Sequence, residues 1–247
     1  PRHRGRRTVF PDANPHERRD GLAQRRGDRA NAIRAHAGRR SADDGGDPLA
    51  LLKRPDSVEA ANEIRDAALK KFGRIDQLVI ASGYNKAGFI QDQPLEEWQS
   101  IMDANVKGAW VMAKAVGSYW LQNKIKGKVL LMSSVRGRHG NISGYTGYCT
   151  SKGATDALTR VLATEWGKHG ITVNAIAPTV FRSKLTAWMW SDNEIGQATR
   201  ARSLSRIPLG RLGEVEDLIG MAIYLLSPAS VFCTGQIMYV DGGLTAG

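Results

Sequence analysis

Apolar residues along the chain follow two rhythms. In one they recur every three or four positions, the spacing of a helix face; in the other they run unbroken for four or five, the mark of a buried strand. The helical rhythm appears first at Val58, Ala61, Ile64 and Ala68. Asp56 or Ser57 can cap that helix, and Gly73 can end it after Lys71. Pro94 opens a second helix with Leu95, Trp98, Ile101 and Met102 on one stripe. A third, long helix is predicted from Asn105 through Trp110, Met112, Val116 and Trp120, its aromatics read as core or subunit contacts. A fourth spans Tyr148 to Lys168, with Leu158, Val161, Leu162 and Trp166 as the buried stripe, and a fifth Val215 to Leu226. Unbroken runs at Leu78–Ala81, Lys128–Met132, Ile171–Ala177 and Gln236–Val240 predict strands. The first reads as a parallel strand covered on both faces.

Strands alternating with helices predict an α/β fold, a doubly wound parallel sheet with helices on both faces. Ligands in such sheets bind beyond the carboxyl ends of the strands. Ala81 and Ser82, Ser134, and Pro178 all fall at such ends, so the polar motifs converge on one cleft. Phe181 to Leu204 contains no strand pattern and is expected to cover the substrate.

Residues 1–50 break both rhythms. They hold one aromatic, Phe10, and no apolar run; Arg, Ala, Gly and Asp dominate, and alone the segment reads as disordered. It carries 12 Arg against 7 acids, so it supplies +5 of the formal net charge of +11, and the rest is spread along the chain. Basic and aromatic residues are not interleaved as base stacking would require, so nucleic acid is not an expected partner. At 247 residues one domain is the expected count. No apolar run is long enough to span a membrane, and the Arg-rich start lacks the apolar core of a secretory signal. With only Cys149 and Cys233, a reducing cytoplasm is expected, with no disulfide framework. The five histidines show no ligand spacing, so no metal is expected. A Gly-x-Ser-x-Gly elbow is absent, which disfavours serine hydrolysis.

The most specific chemistry lies at Tyr148 and Lys152, one helical turn apart and so on one face, with Ser134 upstream at a strand end. An ammonium beside a phenol favours the phenolate, and a tyrosine so acidified can take or give a proton. Taken alone, such a pair also fits an ordinary amphipathic helix.

From about Pro55 to Gly247 the chain resembles the short-chain dehydrogenase/reductase family in its single-domain form. The matching pieces come in order: Phe72-Gly73-Arg74-Ile75-Asp76, Asn105-Val106-Lys107-Gly108, Ser133-Ser134-Val135, the Tyr148/Lys152 pair, Thr172-Val173-Asn174-Ala175-Ile176-Ala177-Pro178, Pro208-Leu209-Gly210-Arg211 and Val240-Asp241-Gly242-Gly243. The resemblance implies a Rossmann-like fold and hydride transfer between NAD or NADP and an alcohol/carbonyl pair. It implies that Tyr148 moves the proton, that Lys152 lowers its pKa and holds the nicotinamide ribose, that Ser134 bonds the substrate oxygen, and that Asn105 anchors a relay water. Ala81, Ser82, Gly83, Pro178, Phe181 and Ser183 would line the cofactor with Tyr148 and Lys152. The family's usual Asn-Asn-Ala-Gly is here Ile80-Ala81-Ser82-Gly83, so the asparagine side chain is missing. A homo-oligomer, a tetramer, is implied by the family's final strand and tail.

The resemblance also implies an opening strand followed by Thr-Gly-x-x-x-Gly-x-Gly, whose glycines let the backbone approach the pyrophosphate. Residues 1–50 display no such element, so the first βαβ unit is abnormal. A basic arm, a replaced cofactor unit and a GC-rich gene read out of frame all fit the composition; the length and the Arg/Ala/Gly/Asp bias favour the third. The choice between NAD and NADP is not legible, and Leu51 or Leu52 stands where an acid usually lies near the adenine. A substrate with an apolar or ring-shaped part is suggested by Leu185, Trp188, Met189 and Trp190, and one with hydroxyls or a carboxylate by Arg136, Arg138, His139, Asn141 and Tyr145; both groups also fit simple lid packing. The competing reading is a relative with an impaired cofactor site that binds without turnover.

Overall fold

The computed structural model describes residues 49–183, 186–191 and 193–247. The Arg-rich segment through residue 48 and the lid residue Leu185 lie outside them, and so do the expectations attached to each.

The first helix, α1 (Val58–Phe72), starts where Ser57 Oγ accepts the Ala60 N–H at 3.1 Å, and ends at Gly73, whose φ of 77° suits only a residue without a side chain. β1 (Gln77–Ile80) follows, then α2 (Leu95–Met102) after Pro94. The expected long helix from Asn105 is interrupted. Asp103–Lys107 is a π-helical turn containing Asn105, and α3 (Gly108–Asn123) begins only after it. Such turns widen the helix by one residue and re-aim the side chain inside them. Next come β2 (Lys128–Met132), α4 (Thr146–Trp166), β3 (Thr172–Pro178), α5 (Glu194–Leu204), α6 (Ile219–Leu226) and β4 (Ile237–Val240). Val215–Leu218, expected as the start of the last helix, is a 3₁₀ turn.

The strands form one parallel sheet in the order β1-β2-β3-β4, with Val129 opposite both Leu78 and Val173. Alternate residues of a strand face opposite ways. Val129, Leu131, Val173 and Ala175 therefore share a core with Ile64 of α1, Val116 and Trp120 of α3, and Leu162 and Trp166 of α4. Leu130 and Ile176 point the other way, onto Leu225 of α6. The Rossmann-like, doubly wound arrangement expected from the sequence is thus present. Trp120 is the largest fully buried side chain, and its indole N–H reaches Ile75 O at 2.7 Å, so its one polar atom is satisfied.

Two burial expectations do not hold. Among the described residues β1 is not covered on both faces: Leu78 is buried but Val79 is 41% exposed, and the apolar cluster around α6 takes in residues of β2, β3 and β4 but none of β1. Val161 is 51% exposed, rotated one residue off the α4 stripe that Leu162 and Trp166 bury. Among the described residues β1 also pairs on one edge only. No helix among them is long and apolar enough to cross a membrane.

Candidate active site

Ser134 leaves the carboxyl end of β2 in extended conformation and caps the 3₁₀ turn Val135–Gly137, its Oγ accepting the Arg136 N–H at 3.1 Å. The same hydroxyl lies 3.5 Å from Pro178 O at the end of β3. It also stands close enough to the Tyr148 phenol to favour the ionised form of that group. Two strand ends and the first turn of α4 therefore meet at one oxygen. Tyr145, at the N-terminus of α4, stands edge-to-face against Tyr148 with ring centroids 6.4 Å apart.

Lys152 follows on the same face of α4, its Nζ 5.6 Å from the Tyr148 ring centroid. It is 4% exposed and donates to Met132 O at 2.7 Å. One acceptor for a buried ammonium leaves two donors for another partner. Asn105, also buried, is held on both polar atoms: Oδ1 accepts the Tyr84 N–H at 2.7 Å, and Nδ2 donates to Tyr84 O and to Ser151 Oγ, each at 2.9 Å. Its side chain thus clamps the loop after β1 onto α4. Gly83 sits in that loop, and a methyl group built on it would lie 3.6 Å from Asn105 Oδ1 and 3.7 Å from Lys152 Nζ. Gly83 is thereby brought beside Lys152 and Asn105, and Ala81 and Ser82 precede it in the same loop.

The electrostatics depart from the expectation that Lys152 acidifies Tyr148. Burial pushes the phenol above the ordinary tyrosine range, opposed by the hydrogen bond from Ser134 and by the charge of Arg136. Lys152 is itself pushed down, to about 8, by burial, with the carboxylate of Asp156 pulling the other way. Above about pH 8 Lys152 loses its charge, and with it the field that would stabilise a phenolate.

Asp156 was not foreseen, though it lies on the Tyr148 face, one turn beyond Lys152. Its Oδ1 accepts a hydrogen bond from Ser133 Oγ in the buried interior, and burial raises its pKa. Gly137 of the Ser134-capped turn closes over it; a side chain there would run into Asp156 Oδ2. The signal was available in the i, i+4 series Tyr148, Lys152, Asp156 and in the doubled serine at 133 and 134.

The remaining candidates divide. Arg136 is half-buried and donates to Gly140 O at 2.6 Å. His139 lies in the same loop, with Nε2 buried and without a hydrogen-bond partner. Phe181 bridges to Gly213, its ring filling the space a side chain at 213 would take. Ser183 is exposed and its hydroxyl pairs with Thr186 Oγ1 at 3.1 Å; Trp188 is 49% exposed. Among the described residues no hydrogen bond joins Ser183 or Trp188 to Ser134, Tyr148 or Lys152. No group of three or more His, Cys, Asp or Glu among them could hold a metal ion.

A family model described as enoyl-(acyl carrier protein) reductase matches residues 54–245. An uncharacterized oxidoreductase of Mycobacterium tuberculosis is 51% identical over 200 residues, covering 81% of this chain and 74% of the relative. Gluconate 5-dehydrogenase of Gluconobacter oxydans is 33% identical over 180 residues, covering 72% and 68%. Among solved structures, gluconate 5-dehydrogenase from Burkholderia cenocepacia in complex with NADP and tartrate superposes with a TM-score of 0.73 at 29% identity, covering 78% of this chain and 74% of that one.

Proposed function

The chain belongs to the short-chain dehydrogenase/reductase family of NAD(P)-dependent oxidoreductases, and from that premise we propose that it interconverts an alcohol and a carbonyl with Tyr148 as the proton donor and acceptor. The observation that carries this reading is the meeting of the Tyr148 phenol, the Ser134 hydroxyl and the Lys152 ammonium at the carboxyl ends of β2 and β3. The residues present suit the nicotinamide end of the cofactor. Lys152 keeps two buried donors for a ribose diol, Gly83 leaves room beside it, and Pro178 ends β3 next to Ser134. The nicotinamide, when bound, supplies or takes the hydride.

Ser134 donates to the substrate oxygen and steadies the negative charge that develops there. Tyr148 gives its proton to that oxygen in reduction and takes it in oxidation. Its raised pKa keeps the phenol protonated at neutral pH, which suits carbonyl reduction; alcohol oxidation is favoured as pH rises. Lys152 would hold the ribose side of the cleft, and its proton can return to the phenolate left when Tyr148 has given its own to the substrate oxygen. Asn105 keeps the loop after β1 in register with α4 and so fixes the floor on which a relay water would rest. The neighbouring gluconate dehydrogenases point to polyol or sugar-acid substrates.

A cytoplasmic homotetramer is part of the same reading. Ile219, Ile223 and Tyr224 of α6 are exposed beside Val231 and Phe232, and β4 is an edge strand among the described residues. Light scattering should give four times the mass of one chain; a monomer would remove this part.

The test is paired. NADPH and NADH fluorescence titrations of the full chain should give saturable binding, and a panel of sugar acids, polyols and cyclic ketones should reveal turnover. Saturable binding with no turnover on any alcohol or carbonyl favours a ligand-binding relative. The absence of both binding and turnover defeats the dehydrogenase reading.

A further inference from the structure

The turns that lead into β2 and β3 enclose a depression of about 450 Å³. Its rim carries Lys124, Lys126, Lys168 and His169, its apolar wall includes Leu121 and Ile125, and no acid lines it. All four rim residues are exposed. Two contacts hold the turns side by side. The Thr172 N–H donates to Gly127 O at 3.1 Å, and the Lys126 stem crosses Gly170 so closely that a methyl group built there would lie 3.0 Å from its Cγ. The depression is a strand length, about 17 Å, from Ser134 at the other end of β2.

Among the described residues none of these four side chains takes part in an ion pair, a hydrogen bond or a ring contact. Glu165, the acid nearest to Lys168 in sequence, forms no ion pair either. Several lysines elsewhere on the surface are matched: Lys53 by Glu63, Lys107 by Asp103, and Lys114 by the Trp110 ring. Cations near the ends of α3 and α4 complement the helix dipoles, but that role does not require them to converge on one depression. Nor does it explain the backbone of Lys124. This residue ends α3 with a φ of 55°, and among the described residues it is the one non-glycine with a positive φ. The corresponding turns after α1 and after the 3₁₀ extension of α4 use Gly73 and Gly170. A side chain is disfavoured in that conformation. The charge at 124 is thus kept on the rim where glycine would suit the turn better.

We infer that this depression is a binding site for a small anion of the di- or triphosphate class, separate from the proposed active site and not dependent on it. Lysine is a compact point charge that suits the dense charge of a phosphate, whereas the bidentate capture of carboxylates favours arginine. Converging cations without a counter-charge raise the local concentration of such an anion. The volume is that of a small-molecule pocket, and Leu121 and Ile125 offer an apolar face to the organic part of a phosphate ester.

The probe is inorganic pyrophosphate, titrated calorimetrically into the full chain. Binding should occur at one site, weaken as salt rises, and persist when NADPH is present. Lys126→Gln combined with Lys168→Gln should weaken pyrophosphate by at least about tenfold, about 1.4 kcal/mol, with NADPH affinity unchanged. Lys124→Gly should weaken it by about threefold while raising Tm, because glycine relieves the left-handed turn, and Lys124→Arg should keep most of the affinity. Citrate should bind at least about tenfold more weakly than pyrophosphate. Circular dichroism checks that each variant folds. Pyrophosphate binding that is absent, that NADPH displaces, or that is indifferent to the lysine substitutions would overturn the inference. So would citrate of equal affinity, or a single-stranded oligonucleotide that binds in preference to pyrophosphate.

Discussion

On one face of the sheet α1, α3 and α4 seal β1, β2 and β3, with Trp120 at the centre. On the other face, among the described residues, α6 packs on β2, β3 and β4, and Val79 of β1 stands exposed. Tyr148, Lys152, Asp156 and Asn105 all belong to elements of the sealed face, α4 and the turn leading into α3. The proton-handling groups therefore hang from the part of the molecule with the most buried apolar contact. The face that is less complete carries none of them. The contrast explains how a chain whose opening residues do not resemble the family can still present an organised Ser–Tyr–Lys cluster: the cluster depends on β2, β3 and α4, and none of these relies on the edge of β1.

The contrast can be broken at its largest contact. Trp120→Ala removes a fully buried indole and its hydrogen bond to Ile75 O, and should cost about 3–5 kcal/mol in denaturant unfolding. Leu225→Ala, at the centre of the α6 face, should fall near the low end of about 2–5 kcal/mol because its surroundings are only partly buried and can close in. Equal losses would mean that the two faces are equally sealed.

Lys152 gives the next effect, read against pH. Its pKa is lowered from 10.5 to about 8 by burial, so between those values the folded chain binds fewer protons than the unfolded one. Stability contributed by this group must then rise as pH increases from about 8 to 10.5, by about 2–3 kcal/mol in total. Below pH 8 both states carry the charge and the full burial penalty stands. Lys152→Met should flatten that slope; a slope unchanged by the substitution would show that Lys152 is well solvated.

Asp156→Asn acts on the same group from one turn away. It removes the carboxylate that favours the Lys152 charge, so the alkaline rise should begin below pH 8, and turnover should fall by about tenfold as the Ser133 contact weakens. Asp156→Glu should not restore the profile, because Gly137 leaves no extra room. The smallest effect is on β1. Val79→Ser should change stability by less than about 0.5 kcal/mol, against about 2 kcal/mol or more for Leu78→Ser on the sealed face. A large loss at Val79 would show that something covers the open face in solution.

Much of this arrangement was legible in the residues. The four strands were readable as unbroken apolar runs, and the helices from their caps and stripes. The i, i+4 pair of Tyr148 and Lys152 with Ser134 at a strand end located the site. Where the sequence misled, the reason is context rather than pattern. Val79 has the residue type of a covered strand, but coverage depends on a helix from elsewhere. Val161 belongs to an apolar series, yet lies one step of about 100° away from the stripe that faces the sheet. The π turn at Asn105 changes no residue type, and the partners that hold its side chain, Tyr84 and Ser151, lie more than twenty residues away in sequence. The raised pKa of Tyr148 follows from burial, which proximity along a helix does not reveal.

The most direct test of the central claim is single-turnover reduction of a carbonyl by bound NADPH, wild type against Tyr148→Phe, with NADPH affinity measured on both. Loss of the phenolic hydroxyl should slow the transfer by at least about 100-fold while leaving NADPH affinity within about twofold. A Tyr148→Phe chain that reduces the carbonyl at the wild-type rate would contradict the assignment of the proton to Tyr148.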